Sequence, residues 1–151
     1  MNYQDDVAER NDLQNGPDDG LMLAVMKSAR HVQDRLEVVL ESVALTPAKF
    51  QALDALVQAG TPMALSELAG SLRCVRSNIT QLADRLELDG LVKRVDDASD
   101  RRAIRAVVTP LGIDRHAAGS AAIAEFQREL ASGLTRKDRL RVVEVLSGIS
   151  V

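Results

Sequence analysis

Apolar residues recur at spacings of three and four over much of the chain, which is the period of an amphipathic α-helix. The first such stretch covers about residues 18–45. Its apolar positions are Leu21, Val25, Ala29, Val32, Leu36, Val39, Leu40 and Val43. Residues 1–17 have no such period and are strongly acidic, so they are predicted to form a disordered tail.

Capping residues mark where three more helices begin. Thr46-Pro47 and Thr109-Pro110 each place a threonine N-cap before a proline in the first helical position, where its missing N–H costs nothing. Thr135 is the predicted N-cap of the last helix. Gly60 ends the helix that begins after Thr46, and Gly133 ends the helix that begins after Thr109. The sequence therefore predicts helices that start just after residues 46, 109 and 135.

Shorter elements are predicted in the middle of the chain. Met63–Leu65 is a candidate short strand, and Ser66 is the predicted N-cap of a brief helix that ends near Leu72. A tight connection leads to a second helix over about residues 76–89, which Gly90 ends. This succession predicts two helices joined by a tight turn.

A β-hairpin follows the second of these helices. Residues 91–95 and 103–108 are predicted strands, and the polar loop 96–102 between them carries two arginines near its tip. Short helix, tight turn, second helix and hairpin in this order form a winged helix-turn-helix. The predicted fold class is mainly α (α+β), with a small β-hairpin wing. The winged helix-turn-helix lobe covers residues 46–109, and a helical dimerisation lobe is formed by residues 18–45 and 110–151.

The second helix of a helix-turn-helix enters the major groove, where its outward side chains reach base edges and phosphates. Arg101 and Arg102 at the hairpin tip suit the focused negative potential of a narrow minor groove. A polar helix face alone is more often only solvated, and charged hairpin tips are commonly inert. Both features in succession favour DNA binding. The outward face comprises Ser77, Thr80, Gln81 and Asp84, flanked by Asn78 and Arg85.

Composition agrees with a helical DNA-binding protein once the distribution of charge is considered. Of 151 residues, 46% are hydrophobic but only 2% are aromatic, so aliphatic side chains must fill the core. The net charge of −3 argues against a nucleic-acid partner, yet residues 73–105 hold eight Arg or Lys against six Asp or Glu. The lack of a long apolar run or signal peptide, together with a single cysteine, predicts a cytoplasmic protein.

Little in the sequence points to other chemistry. Cys74 lies in the helix–helix turn and is predicted to be structural rather than a redox switch. His31 is predicted to be solvated, and neither it nor His116 belongs to a cluster with metal-ligand spacing. The sequence has no phosphate-cradling loop, nucleophile elbow or zinc-protease motif. It therefore predicts no enzyme, no metal and no cofactor.

Three segments resemble the MarR family of winged-helix regulators. They are Leu65-Ser66-Glu67-Leu68-Ala69, the stretch Asn78-Ile79-Thr80-Gln81-Leu82-Ala83-Asp84-Arg85-Leu86 with Asp89-Gly90-Leu91-Val92, and Asp100-Arg101-Arg102-Ala103 with Val108-Thr109-Pro110-Leu111-Gly112. The likeness in element order covers about residues 21–149 and is specific from about 46 to 112. Its most diagnostic part is the Asp-x-Arg of the hairpin, followed by Thr and Gly at the start of a helix.

The resemblance implies a triangular homodimer. The first and the last two helices of each subunit would interlock, and two winged lobes would contact a pseudo-palindromic operator. Asp100 would brace Arg102 by a salt bridge, Arg102 would enter the minor groove, and Ser66 would offer a backbone contact at its helix N-terminus. The candidate DNA-binding residues are Ser66, Arg76, Ser77, Asn78, Thr80, Gln81, Arg85, Arg94, Asp100, Arg101 and Arg102.

Two residues depart from the family pattern. Val75 stands where the family often has a polar cap, and Gln81 stands where a basic residue is frequent, so Gln81 is a candidate reader of adenine. Family members often respond to small aromatic or phenolic acids, which implies a small-molecule effector. The predicted function is a sequence-specific, double-stranded-DNA-binding transcriptional regulator, with repression the expected mode. The alternative is a winged-helix protein-interaction module that does not bind DNA.

Overall fold

The computed structural model describes residues 17–73, 76–97 and 104–149, with side chains described from residue 20 onward and not at 76 and 77. Cys74, Val75 and the wing tip with Asp100, Arg101 and Arg102 lie outside the described residues, as does the predicted tail up to residue 16. The elements in chain order are α1 (Pro17–Glu41), α2 (Pro47–Ala59), β1 (Met63–Ala64), α3 (Leu65–Ser71), α4 (Arg76–Leu88), β2 (Val92–Asp96), β3 (Ile104–Val108), α5 (Pro110–Ser132) and α6 (Arg136–Ser147).

The predicted threonine caps are confirmed at all three helices. Thr46 accepts a hydrogen bond from the backbone N–H of Lys49, and Thr109 Oγ1 accepts one from Gly112 N at 3.0 Å. Thr135 caps α6 in the same way. Each such cap satisfies a backbone N–H that has no partner inside the helix. Gly60 ends α2 in the left-handed conformation, as predicted.

The predicted cap at Ser66 is wrong. Helix α3 begins at Leu65, two residues earlier than a cap at Ser66 implies, and its N-cap is Ala64, whose N–H donates to Glu67 Oε2 at 2.8 Å. Ala64 is held extended because it belongs to β1, so the strand leads into the helix with no residue between them. Ser66 therefore lies inside the first turn of α3.

The wing is part of a three-stranded antiparallel sheet in the order β1-β3-β2. Val92 of β2 pairs with Val108 of β3, and the predicted hairpin is confirmed. The candidate strand at residues 63–65 is present as Met63–Ala64, and it pairs with the opposite edge of β3, with Ala64 facing Arg105. The strand before the helix-turn-helix and the strand that returns from the wing are thus hydrogen-bonded neighbours.

Aliphatic side chains fill the core of the part that begins at Leu36. The largest fully buried side chains are Leu40, Leu45, Leu53, Leu56, Leu68, Ile79, Leu86 and Val92. They come from α2, α3, α4 and β2 together with the end of α1 and the turn that follows it. The helix-turn-helix and the wing therefore share one core, in which no aromatic ring is needed at the centre.

The contacts within the chain divide it inside α1, between Arg35 and Leu36. The helix itself ends at Glu41 rather than near residue 45, because Ala44 adopts φ 55 and Leu45 N donates back to Leu40 O. No helix in the described part of the chain has both the length and the apolar character needed to span a membrane. The predicted boundaries of tail, DNA-binding lobe and dimerisation lobe stay predictions.

Candidate nucleic-acid interface

Helix α4 packs one face into the core, and this face is the one that the sequence predicts. Ile79, Ala83 and Leu86 are buried, and Leu82 is half-buried. Because these residues recur at three and four positions, the remaining two thirds of the helix circumference point away from the core. Those outward positions form two further faces with different surroundings.

The first outward face carries Asn78, Gln81 and Arg85, all of them exposed. Together with Ala48 and Gln51 of α2, they line a groove of about 310 Å³. Within the described residues, the three side chains form no hydrogen bond or ion pair, so their donors and acceptors are available to a ligand. The sequence does not predict Gln51 here, because nothing in the pattern of α2 shows that this polar residue faces α4.

The second outward face carries Thr80, Asp84 and Glu87, and it lies against the first wing strand. Arg94 of β2 forms ion pairs with Asp84 and Glu87, and its Nη2 donates to Thr80 O at 3.4 Å. Arg94 is one of the DNA-binding residues predicted from the sequence. Its guanidinium is instead turned toward α4, with only 24% of the side chain exposed, so the geometry does not support a direct phosphate contact.

A second arginine holds the base of the wing. Arg105 of β3 forms an ion pair with the nearly buried Asp97 at 2.5 Å, and its Nη1 donates to Pro62 O at 3.0 Å and lies 3.8 Å from Glu67. The hydrogen bond and the negative charge of Asp97 raise the pKa of Arg105 above its usual value. The sequence pattern does not predict this pair, which connects the wing to the first turn of α3.

The remaining candidates lie at the two helix starts. Ser66 is exposed in the first turn of α3, and Arg76 and Ser77 form the first turn of α4. Arg73, the last described residue before α4, follows the C-cap of α3 and has φ 50, a left-handed conformation that does not continue the helix. The structure thus brings Asn78, Gln81 and Arg85 together on one face and gives Arg94 a separate environment.

The two histidines have different environments. His31 is exposed and its Nδ1 lies 3.0 Å from Lys27 O, which agrees with the predicted solvated role. His116 of α5 is mostly buried, with Nε2 2.9 Å from Asp54 Oδ1, and its ring stacks on Phe50 at a centroid distance of 5.3 Å. No group of His, Cys, Asp and Glu among the described residues has the arrangement of a metal site.

Comparisons with known proteins agree with this geometry. The family model described as "MarR family" matches residues 45–104. YsmB, an uncharacterised HTH-type transcriptional regulator of Bacillus subtilis, is 35% identical over 92 residues, 58% of this chain and 62% of the relative. PrsX of Escherichia coli, also an HTH-type transcriptional regulator, is 31% identical over 94 residues, 62% of this chain and 57% of the relative. The match therefore spans about three fifths of these relatives' length.

Solved structures share the fold over most of their length. The YusO protein from Bacillus subtilis has a TM-score of 0.71 at 24% identity, covering 88% of this chain and 96% of its own. A cysteine-to-serine mutant of MarR from E. coli has a TM-score of 0.71 at 20% identity, covering 85% and 95% respectively. A phenylalanine-to-leucine mutant of MepR from S. aureus, bound to an oligodeoxyribonucleotide, has a TM-score of 0.64 at 19% identity, covering 86% and 98%.

The family and the two curated relatives are transcriptional regulators, a non-enzymatic class, in agreement with the prediction that the chain is not an enzyme. The fold class is also the predicted one, a mostly helical chain with a small antiparallel sheet. The family match covers α2 to the start of β3, the elements that carry the exposed polar face of α4. Over residues 45–104 this winged helix-turn-helix is thus similar to the MarR family.

Proposed function

We propose that this chain is a sequence-specific, DNA-binding transcriptional regulator that binds a pseudo-palindromic operator as a homodimer and represses transcription. The observation that carries the proposal is the exposed face of α4, on which Asn78, Gln81 and Arg85 form no hydrogen bond within the described residues. Amide side chains pair with adenine in the major groove, and arginine pairs with guanine or with a phosphate. The face therefore carries donors and acceptors suited to reading base edges.

The wing would supply the second contact. By its resemblance to the family, Arg102 enters the minor groove and Asp100 orients it. The Arg105–Asp97 ion pair at the base of the wing supports this arrangement, because it fixes both wing strands to the start of α3. In this proposal α4 reads sequence, whereas the wing contributes mainly charge and shape readout.

The homodimer is supported by the surface of α6. None of the residues of α6, all of which the structure describes, is buried, and Leu140, Val143 and Leu146 are 63%, 63% and 49% exposed. An exposed apolar patch of this kind marks an interaction surface, and a second copy of the same helix is the simplest partner. Two winged lobes would then read half-sites separated by about 10 bp or a multiple of it.

Relatives support the same function. YsmB and PrsX are described as HTH-type transcriptional regulators, and the MepR mutant was crystallised with an oligodeoxyribonucleotide. The organohalide-sensing regulator RdhR, with a TM-score of 0.75 at 17% identity, was crystallised with 2,4-dichlorophenol. We extend the proposal to a small aromatic effector for this chain. An apolar cavity of about 290 Å³, lined by Leu56, Val57, Val107, Val108 and Ile113 among others, is a candidate location.

Selection from a random duplex library tests the proposal without assuming any operator sequence. Purified full-length protein is incubated with the library, and the retained duplexes are sequenced over several rounds. We expect enrichment of an inverted repeat, and a loss of that enrichment in Gln81→Ala with Lys93→Ala as the exposed control outside the α4 face. A protein-interaction module would enrich no sequence and would show no salt-sensitive retention on heparin.

Effector binding is tested separately with 2,4-dichlorophenol as the probe. We expect the compound to raise the melting temperature of the protein and to release it from the selected duplex. Val57→Phe, which fills part of the apolar cavity, should abolish the thermal shift while sequence-specific DNA binding remains. If the compound shifts the melting temperature of both proteins equally, the cavity is not its binding site.

A further inference from the structure

Helix α4 carries two negative charges on the side that faces the wing. Asp84 and Glu87 lie three positions apart, and Thr80 lies one turn before Asp84, so the three residues form one stripe along the helix. Carboxylates on a helix that enters the major groove repel the flanking phosphates. If both were free, they would weaken the binding that the polar face with Gln81 provides.

Arg94, on the neighbouring strand β2, contacts all three residues of the stripe. Its Nη2 forms an ion pair with Asp84 Oδ1 and donates to Thr80 O at 3.4 Å, while its Nε lies 3.6 Å from Glu87 Oε2. Its backbone N–H also donates to Glu87 Oε1 at 3.2 Å. These contacts connect two turns of α4 to the outer edge of β2.

The geometry needs arginine in particular. A guanidinium presents several donors in a rigid planar fork, so one side chain can reach two carboxylates and a carbonyl at once. A lysine ammonium would keep the charge but is a single point that cannot span the stripe. Arg94 thus lowers the negative charge of this side of α4 and fixes how the helix is rotated relative to the wing.

We infer that Arg94 is a positioning residue for DNA binding: it holds α4 in a fixed orientation on β2 and keeps Asp84 and Glu87 away from the DNA phosphates. It acts through these two carboxylates and does not contact the DNA itself. The inference rests on the proposed function, since it assigns a role within the DNA-binding surface. It also explains how two acidic residues are tolerated on this helix.

A double-mutant cycle separates this role from a direct phosphate contact. One axis is Arg94→Ala and the other is the pair Asp84→Asn and Glu87→Gln. Affinity for a fluorescent mixed-sequence duplex of about 30 bp is measured at several salt concentrations. We expect Arg94→Ala to weaken binding about tenfold, and the paired neutral substitutions to restore most of that loss. In wild type the same pair should change affinity by less than about twofold, because the amide oxygens of Asn and Gln still accept hydrogen bonds from Arg94.

The salt dependence gives a second readout. A lost phosphate contact reduces the log–log slope by about 0.9, or about twice that in a dimer, whereas loss of a positioning residue leaves the slope nearly unchanged. Lys93→Ala is the matched control, because Lys93 is the exposed neighbour on the same strand and its substitution removes the same charge. The carboxylate substitutions should change the affinity of Lys93→Ala no more than they change that of wild type.

The outcomes are distinguishable. Suppose that wild type binds duplex. If the effects of Arg94→Ala and of the carboxylate pair on affinity are additive, or if Arg94→Ala reduces the salt slope as a phosphate contact would, the inference is overturned and the proposed function stands. If wild type binds no duplex, the proposed function fails and the inference fails with it. Circular dichroism confirms that Arg94→Ala is folded. Arg94→Lys replaces it in the cycle if it is not, with partial loss of affinity and the same rescue expected.

Discussion

At the scale of single residues, the close packing around Gly112 allows no larger side chain there. Gly112, in the first turn of α5, lies so close to the chain before β2 that a Cβ atom would overlap Leu91 O and lie 3.1 Å from Leu91 C. Thr109 Oγ1 donates to Gly90 O at 2.7 Å in the same place. The start of α5 is therefore held closely against the turn between α4 and β2.

Gly112→Ala should destabilise the protein by about 3 kcal/mol or more, because the clash is with backbone atoms that cannot move aside. Gly70 is the matched control: it is also helical, and a Cβ atom there would have nothing within 4 Å. Gly70→Ala should stabilise by about 0.5–1 kcal/mol through helix propensity. Urea unfolding of both variants measures the difference, and equal effects would contradict the close approach at Gly112.

Arg105 gives a residue-scale prediction with a defined pH dependence. Its raised pKa means that the guanidinium is charged in both the folded and the unfolded protein at neutral pH, so its stabilisation is fully present there and is lost only at very high pH. Arg105→Ala should lower the melting temperature by the same amount at about pH 6 and about pH 9. Asp97→Asn in the same chain should recover part of the loss, since a neutral amide at this nearly buried position no longer needs the positive charge of Arg105.

At the scale of elements, the sequence predicts local features well and long-range ones poorly. Threonine caps and apolar periods define most of the helices because both depend on residues three or four positions apart. Helix α3 does not start at the predicted cap Ser66, because β1 is fixed by pairing with β3, far along the chain. The partners of Arg105 show the same limit, since Pro62 lies 43 residues away.

Substitutions in the two elements proposed to contact DNA should have different effects on binding. Gln81→Ala, on α4, should cost about 1–3 kcal/mol per half-site on the selected operator and leave the salt slope nearly unchanged. Arg102→Ala, in the wing, should weaken binding to all sequences and lower the slope by about 0.9 per wing. Asp100→Ala should resemble a weaker form of Arg102→Ala. Binding isotherms on operator and random duplex at several salt concentrations test this, and identical behaviour of the first two variants would refute it.

At the scale of the whole molecule, the buried and the exposed apolar side chains lie in different parts of the chain. The core side chains come from residue 36 onward and include none from α6. Apolar residues of α1 are also exposed, among them Leu21, Met22 and Met26. The core therefore uses neither the start of α1 nor α6, and both leave large apolar side chains exposed.

Val143→Asp should consequently convert the protein into a folded monomer. The new carboxylate lies in the middle of the exposed apolar face of α6, where burial against a second copy would leave it without compensation. Light scattering at micromolar concentration should give about 16.3 kDa for the variant and twice that mass for wild type. Circular dichroism should not change, because no core residue is altered. Leu88→Asp, at an apolar side chain on α4 that is 87% exposed, should remain dimeric. A monomeric wild type, or a dimeric Val143→Asp, would show that α6 is not the dimer contact.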